Sequence, residues 1–319
     1  MTLMTVACKL TTAVIILRGV FKRLFSKSFS VGALLALIFL SAFPVVKAQQ
    51  KQKPPATSAP PIVRTTVKHE LHRLGYGGTV TIIGAPDGSI SIEGWPRNEV
   101  SVSADIQLRA NSEQDLSQLA VVNNFIVDAE PNHIRIMTTG THDKAFMKAV
   151  AKKFPKTLLG LPWKIDYKIR VPMSTDLTIN GGRGPISLSG VEGDIRLSAT
   201  ESETKLNLSG GIVAATVAKG SVNLTIPEKS WRRGGADLRV AFGEINVELP
   251  PGFNADIDAE VLRSGQIVDG YGALESREKP GITAQKMKAR AGSGGPFFQF
   301  TVGDGTVNIK KQQPVAGGR

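Results

Sequence analysis

A short template recurs along the chain: a glycine, any residue, an apolar residue, any residue and a second apolar residue. Its copies GTVTI, GSISI, GPISL, GDIRL, GSVNL, GEINV and GTVNI start at Gly78, Gly88, Gly184, Gly193, Gly220, Gly243 and Gly305. Alternation of apolar and other residues over such short runs is typical of half-buried β-strands, and the leading glycine suits a tight turn. TKLNL repeats the template with Thr204 in the place of the glycine. The sequence therefore predicts a degenerate repeat of very short strands.

The template also assigns a direction to each side chain. The apolar positions Ile186, Leu188, Ile195, Leu197, Leu206, Leu208, Val222 and Leu224 are predicted to point inward and to stack on neighbouring strands about 4.8 Å away. The residues between them, Ser187, Arg196, Asn207 and Asn223, are predicted to form an outward row, which Asn246 and Asn308 extend if the later strands keep the register. The predicted fold class is mainly all-β, a β-solenoid or β-roll of stacked short strands. Turns at this spacing are also compatible with a sandwich or a barrel.

Two stretches break the strand pattern and predict short helices packed on the sheets. In 111–125, Ser112 is a capping candidate and Leu116, Leu119 and Val122 follow at helical spacing. The stretch 143–156 places Phe146, Val150 and Phe154 on one side and carries Lys144, Lys148, Lys152, Lys153 and Lys156. A basic amphipathic helix can make a peripheral contact with an anionic membrane. The alternative, which we favour, is a solvated helix whose apolar side covers the end of the core.

The first residues have the composition of an export signal. A basic segment precedes the 16-residue apolar run VGALLALIFLSAFPVV, and Val46 and Ala48 then offer the small residues that a signal peptidase reads. We predict a signal peptide at 1–48, a Pro/Gln-rich linker at 49–65, a β domain at 66–311 and a disordered tail at 312–319. The protein is thus expected to be exported, to the periplasm, the cell surface or the extracellular space. An uncleaved anchor is the alternative, although the run is shorter than the roughly 20 residues that span a bilayer.

The formal net charge of +12 is unevenly distributed. Residues 78–309 contain 25 basic and 26 acidic residues, so the excess of positive charge belongs to the two ends of the chain. A neutral body argues against nucleic acid as a partner. Cys8, the single cysteine, falls in the predicted signal, so the rest of the chain has no disulfide or thiol chemistry.

The sequence contains no complete motif for catalysis or metal binding. HELH, His69–His72, has one residue too few between glutamate and the second histidine for a zinc-protease helix, and no nucleophile elbow or phosphate-binding loop occurs. We therefore predict no enzyme activity, no catalytic residue, no metal and no cofactor. Trp231 with Arg232 and Arg233, in a glycine-rich loop, could stack on a sugar ring or grip an anionic glycan. The favoured alternative is a tryptophan folded back over the open end of the core. The candidate binding residues are Trp231, Arg232, Arg233, Arg196, Asn207 and Asn223.

Longer stretches resemble a known family. GSISIEGWPRNEVSVSADI, YKIRVPMSTDLTINGGRGPISLSGVEGDIRL, GEINVELPPGFNADIDAEVLRSGQI and GSGGPFFQFTVGDGTVNIK are similar, in this order, to segments of the bacterial putative-adhesin domain family. The resemblance covers about residues 70–311. It implies a glycine-punctuated β-solenoid or β-roll and, through the family's label, attachment to surfaces. It supplies no catalytic residues.

These observations favour an exported, non-enzymatic envelope or surface protein that presents a flat polar face for binding or adhesion. Envelope polysaccharide or another cell-surface component is the expected partner, and the chain is expected to be a monomer because the two helices would cap its ends. One alternative is a polymer-forming structural scaffold, since stacked strands with an uncapped end can add to a neighbour. The other is a glycan-processing enzyme, for which the acidic residues Glu192, Asp194 and Glu244 are too scattered.

Overall fold

A computed structural model of the chain describes residues 61–150, 154–279 and 281–313, all within the unit Thr57–Arg319. The predicted signal peptide and the linker up to residue 60 lie outside these ranges. The strands are β1 Ile62–Arg73, β2 Thr79–Ile83, β3 Ile90–Trp95, β4 Glu99–Ala110, β5 Asn124–Glu130, β6 His133–Thr139, β7 Trp163–Pro172, β8 Asp176–Arg183, β9 Ile186–Ser189, β10 Asp194–Asn207, β11 Gly210–Thr225, β12 Arg232–Leu249, β13 Ala255–Gly270, β14 Leu274–Ser276, β15 Lys286–Ala291 and β16 Phe297–Lys311. The helices are α1 Glu113–Val122 and α2 Lys144–Val150, with a 3-10 turn at Lys156–Leu158. The all-β prediction is confirmed.

Five long strands form a parallel stack in the order β10, β11, β12, β16, β13. Val213 lies beside Ile195 of the preceding strand, and Val222 lies beside Thr204, so the side-chain rows continue from strand to strand. The stack does not follow chain order, because the C-terminal strand β16 is inserted between β12 and β13. The repeats predict the stacking of short strands, but the template alone does not specify this insertion.

Each long strand consists of two halves joined by a bend. In β10, burial alternates up to Ala199, two exposed residues follow, and alternation resumes at Ser202 with the phase shifted by one residue. The first half of β10 pairs with β8 and the second half pairs with β9. A strand can change face in this way only if its backbone turns a corner. The two halves therefore belong to two different layers.

Glycines occupy the corners of β11, β12, β13 and β16, because successive bends come very close together there. Gly243 has a φ of 138°, and a Cβ atom on it would lie 1.8 Å from the carbonyl oxygen of Gly220. Gly305, aligned with Gly243 on the next strand, has a φ of 142° and a corresponding distance of 1.7 Å. Neither the backbone angle nor the space admits a side chain.

The two layers enclose one core. From the first halves the sheet continues through β8, β2, β6 and β5, and from the second halves it continues through β9, β3, β7, β4 and β1. Tyr167 of β7 joins the layers: its hydroxyl lies 2.7 Å from Thr138 Oγ1 of β6, and its ring meets Phe125 of β5 edge to face. All eight residues predicted to point inward are buried.

The helix predictions are confirmed within the described residues. Helix α1 begins after Ser112, whose hydroxyl accepts a hydrogen bond from the Asp115 amide, and its buried residues are Leu116, Leu119 and Val122. Helix α2 begins after Asp143, which accepts hydrogen bonds from the amides of Ala145 and Phe146. Sheet pairing starts earlier than expected, because β1 begins at Ile62, inside the range 49–65 predicted as linker.

Candidate binding surface

Six polar side chains line up across six neighbouring strands on the outer side of the second layer. They are Ser91 of β3, Ser187 of β9, Lys205 of β10, Asn223 of β11, Asn246 of β12 and Asn308 of β16, and each is the register partner of the next. We call this set the polar column. It exists because the strands are parallel and in register, so that the residue between two inward positions recurs at the spacing of the strands, about 4.8 Å.

Hydrogen bonds run along the polar column. Asn308 Nδ2 donates to Asn246 Oδ1 at 2.8 Å, and Asn246 Nδ2 donates to Asn223 Oδ1 at 2.9 Å. Ser187 Oγ donates to Ser91 Oγ at 3.1 Å. Each asparagine amide carries two N–H groups. Asn246 and Asn308 each use one of them in the ladder, and Asn223, which only accepts there, donates one to Ser221 Oγ at 3.2 Å. The ladder therefore fixes the orientation of the side chains and leaves one N–H of each asparagine for another acceptor.

The single outward row predicted from the template is divided in the structure. Asn223 belongs to the polar column, and the predicted extension by Asn246 and Asn308 is confirmed. Asn207 is exposed in the adjacent column, opposite Thr225. Arg196 is also exposed, but it lies in the first half of β10 and therefore on the other layer. The bend in each long strand separates positions that the short template treats as equivalent.

The template was also misaligned at one copy, which concealed Lys205. Ser202, not Thr204, aligns with the corner glycine Gly220, while Thr204 is an inward residue beside Ile186 and Val222. Ser202 and Thr204 are both buried, and their hydroxyl groups lie 3.1 Å apart, so each provides the other with a hydrogen-bond partner inside the core. A polar pair at an apolar position hid the true copy, SETKL. Read in that frame, the sequence would have placed Lys205 beside Asn223.

Trp231 does not offer a surface for stacking. It is 5% exposed, its indole Nε1 lies 3.0 Å from the carbonyl oxygens of both Gly211 and Arg233, and its ring meets the ring of Phe298 edge to face. The predicted role of this tryptophan in sugar binding is thus corrected: the ring is inside the protein, as in the alternative in which it folds back over the core.

The two neighbouring arginines are exposed but have acidic partners. Arg232 Nη2 lies 2.9 Å from Glu192 and 3.0 Å from Glu228. Arg233 Nη2 lies 3.9 Å from Asp194 Oδ1. Arg233 is the extra residue of a β-bulge and has a φ of 67°, the one positive φ on a non-glycine residue in the described ranges. The bulge directs its side chain outward, next to the first layer and away from the polar column.

Many of the charges at the corners are also paired. Arg183 forms a two-pronged ion pair with Asp87, at 2.8 and 2.7 Å, and Lys219 lies 2.9 Å from Glu201. Arg183 and Glu201 are register partners, so opposite charges alternate from strand to strand. This edge of the stack therefore presents little uncompensated charge to a ligand.

A shallow cleft of about 330 Å³ lies where the loop after β6 meets the corner. Its lining includes Asp87, His142, Trp163 and Arg183. Burial lowers the pKa of His142, against the opposing effect of Asp143, and the imidazole packs on the Trp163 ring at 5.3 Å. Because His142 covers Trp163 and Asp87 neutralises Arg183, the side chains of this cleft are already engaged with one another.

The segment 143–156, the candidate for a peripheral membrane contact, is described only in part. Lys144 and Lys148 lie on α2, whereas Lys152 and Lys153 fall outside the described residues. Within the ranges that the structure describes, no helix has the length and apolar character to cross a membrane. The same ranges contain no group of three or more His, Cys, Asp or Glu side chains placed to hold a metal ion.

No protein-family model matches the chain, and no curated protein matches it. Among solved structures, it is similar to a putative cell adhesion protein from Clostridium sporogenes (13% identity, TM-score 0.36, covering 77% of this chain and 100% of the other). It is also similar to a putative adhesin from Bacteroides fragilis (11% identity, TM-score 0.28, covering 77% and 97%) and to a putative lipid binding protein from Parabacteroides distasonis (11% identity, TM-score 0.22, covering 76% and 96%). With TM-scores this low, none of the three carries an argument about this chain.

Proposed function

We propose that the protein is an exported, non-enzymatic binding protein of the cell envelope or cell surface, and that the polar column is its binding surface. The observation that carries this proposal is the ladder Asn223–Asn246–Asn308, in which hydrogen bonds hold three amides in one orientation at the spacing of the strands. A surface whose side chains are already ordered loses little conformational entropy when a ligand binds.

The chemistry of the polar column favours a polysaccharide as the ligand. Hydroxyl and amide groups both donate and accept hydrogen bonds, and so do the hydroxyl groups of sugars. The column contains no carboxylate, and its one charged member, Lys205, lies 2.9 Å from Glu203 on the same strand. A polymer with repeating hydroxyl groups can form the same contact at several successive strands, so weak single contacts add up along its length.

Variants on the two layers test which surface binds. We expect Asn223→Ala combined with Asn246→Ala to weaken retention on bacterial envelope preparations about tenfold or more, because two ladder contacts are removed. The matched control is Arg196→Ala, an exposed position on the other layer, which should be retained like the unaltered protein. If only the Arg196 variant lost retention, the binding surface would have to be assigned to the first layer.

Incubation with the same envelope preparations, together with light scattering, distinguishes the proposed binding protein from the two alternative functions. A glycan-processing enzyme would release soluble sugar fragments during incubation, and we expect none. A polymer-forming scaffold would produce filaments whose light scattering grows steadily with concentration, whereas a binding protein should stay in small particles. Fragment release or filament growth would each replace the proposed function with the corresponding alternative.

Export is tested at the N-terminus. From the small residues after the apolar run, we expect the exported protein to begin at Gln49. N-terminal sequencing of protein collected outside the cytoplasm checks this. Recovery of the whole chain in the membrane fraction would instead support an anchored form.

A further inference from the structure

Strand β1 is the longest open edge of the sheet. Among the described residues it pairs with β4 alone, along all twelve of its residues. The other open edges are β14, which has three residues, β5, whose seven residues include the exposed acids Asp128 and Glu130, and the second half of β13 from Ser264, which pairs with β16 alone and whose Ile267 amide donates to the Ala284 carbonyl. Short or charged edges resist pairing with another chain, whereas a long edge invites it.

The backbone groups of β1 alternate between its two sides. The amide of Leu74 donates to the carbonyl of Asn98, which continues the β1–β4 register by one step. In an antiparallel pair, every second residue exchanges such bonds. The even-numbered residues of β1 therefore bond to β4, and the odd-numbered residues from Val63 to Arg73 point their N–H and C=O groups to the open side.

In β1, three apolar side chains lie on the outer face and several charged side chains lie on the inner face, which is the reverse of the arrangement in the rest of the sheet. On the outer face, Val63, Val67 and Leu71 are 48%, 53% and 59% exposed, and they alternate with the exposed residues Thr65, His69 and Arg73. On the inner face, beside the buried residues of β4, stand Arg64, Lys68, Glu70 and His72. Arg64 contacts Glu113 of α1, and Glu70 Oε2 lies 2.9 Å from His72 Nε2. Three exposed apolar side chains on one face of an edge strand are more typical of an interface than of a solvated end.

We propose that β1 pairs antiparallel with β1 of a second copy of this chain, with the two Val67 residues facing each other at the twofold axis. In this register Val63 lies opposite Leu71 of the partner copy and Thr65 lies opposite His69, so the exposed apolar residues of the outer face pair with one another. On the inner face Arg64 lies opposite Glu70, and this pair occurs twice by symmetry. Opposite charges and apolar pairs across strands are the contacts that stabilise antiparallel sheets.

The sequence of β1 selects this register over its neighbours. Only the odd-numbered residues point their backbone groups to the open side, so they must lie opposite odd-numbered residues of the second copy. The register can therefore shift only in ways that keep odd-numbered residues opposite one another. The other register with comparable overlap places Lys68 opposite Lys68 and Arg64 opposite His72. Like charges directly opposite are unfavourable. Self-complementarity in one register argues for a second copy as the occupant rather than an unrelated strand.

This inference replaces the monomer expected from the sequence, which rested on helices covering the ends of the strands. A twofold axis at Val67 joins the second layers of both copies into one continuous sheet, so their outer faces lie on the same side. If the proposed function holds, the dimer presents two polar columns to one polysaccharide and binds with avidity. The pairing of β1 itself does not depend on that function.

Light scattering of the purified full chain tests the pairing. We expect the mass of two chains at micromolar concentration, and we expect Val67→Lys to raise the dissociation constant about tenfold or more by placing two lysines at the twofold axis. Ala214→Lys, an exposed position on the parallel stack, is the control and should leave the mass unchanged. A monomeric unaltered chain, including one whose residues 1–60 cover β1, would overturn the proposal, as would a dimer that Val67→Lys does not weaken.

A charge exchange tests the register. Arg64→Glu alone and Glu70→Arg alone each create two like-charged pairs in their own dimers, so both variants should be monomeric. An equimolar mixture creates only opposite-charged pairs and should contain mixed dimers. Should the Arg64 variant fail to fold because it loses Glu113, the paired change Arg64→Lys with Glu70→Asp, which keeps both charges, should still dimerise. Mixing without recovery of dimers by the folded variants would contradict this register.

Discussion

The parallel stack and the N-terminal ribbon of β1, β4 and β7 stabilise their strands differently. In the stack, five parallel strands turn corners, at a glycine in four of them and at Ser202 in β10, and carry matching side chains in register. In the ribbon, the strands are antiparallel, and burial alternates along β4 and β7 without the change of phase seen in the stack. No residue of β1 is fully buried. The comparison indicates that the repeated template specifies the stack, whereas the ribbon depends on the register between strands distant in sequence.

The largest effect is expected from a substitution at a corner of the stack. Gly243→Ala should cost about 4 kcal/mol or more, because its Cβ would lie 1.8 Å from a backbone oxygen at a φ that suits glycine. Gly252→Ala is the matched control: Gly252 also has a positive φ, but no atom lies within 4 Å of its added Cβ, so about 1 kcal/mol is expected. Urea unfolding measures both. Equal costs would mean that the corners are not closely packed.

The second largest effect is expected when an inward side chain is removed from either half of β10. Ile195 and Leu206 are almost completely buried, in the first and second halves of β10. Replacing either by Ala should cost about 2 to 5 kcal/mol, because the lost transfer energy is joined by a cavity. Denaturant midpoints provide the measurement. A marked effect of only one of the two would mean that one layer does not contribute to the shared core.

A smaller, pH-dependent effect tests the junction between the ribbon and the start of β3. Asp166 of β7 accepts hydrogen bonds from the Ser89 amide and hydroxyl, and Lys164 Nζ lies 2.7 Å away. Burial opposes ionisation, but these bonds and the lysine lower the pKa of Asp166 below its ordinary value of 3.8. The resulting stability is present above about pH 4 and is lost as the pH falls through the lowered pKa.

Asp166→Asn should therefore destabilise the protein at pH 7, by about 1 kcal/mol because the group is partly exposed, and should lessen the loss of stability in acid. Unfolding midpoints at pH 7 and pH 3 give the comparison. An identical acid response of the variant and the unaltered chain would show that the ionised Asp166 does not stabilise the junction between the ribbon and β3.

The smallest expected effect concerns outward residues. Arg196 and Asn207 are exposed on different layers, and replacement of each by Ala should change stability by no more than about 0.5 kcal/mol. The same urea experiments provide the values beside those for Ile195 and Leu206. A cost similar to that of the inward variants would contradict the alternation of burial on which both layers depend.

The sequence predicted much of the stack and little of the ribbon. Inward and outward positions such as Leu188 and Ser187 follow from alternation, which is a local property of the chain. The separation of Arg196 from Asn207 could not be seen, because it depends on a bend at which two exposed residues shift the phase. The insertion of β16 beside β12 and the open edge of β1 result from pairings between distant segments, and no local pattern specifies them.

The candidate surface was predicted to a similar extent. Asn223, Asn246 and Asn308 share one place in their template copies, so their alignment followed from the repeat. Lys205 was hidden because Ser202 replaces a glycine and Thr204 replaces an apolar residue. The burial of Trp231 reflects hydrogen bonds to the backbone of the neighbouring strand β11, which composition does not reveal.

Disulfide formation between paired cysteines tests most directly whether the polar column crosses β11, β12 and β16 in that order. In a chain with Cys8→Ser, the pairs Asn223→Cys/Asn246→Cys and Asn246→Cys/Asn308→Cys join neighbouring strands about 4.8 Å apart and should form bonds on mild oxidation. The pair Asn223→Cys/Asn308→Cys is separated by two strand spacings, about 9.6 Å, which is too far for a disulfide, and it should remain reduced. Bond formation in this third pair, or its absence in the pair that contains Asn246 and Asn308, would contradict the strand order and with it the continuous polar column.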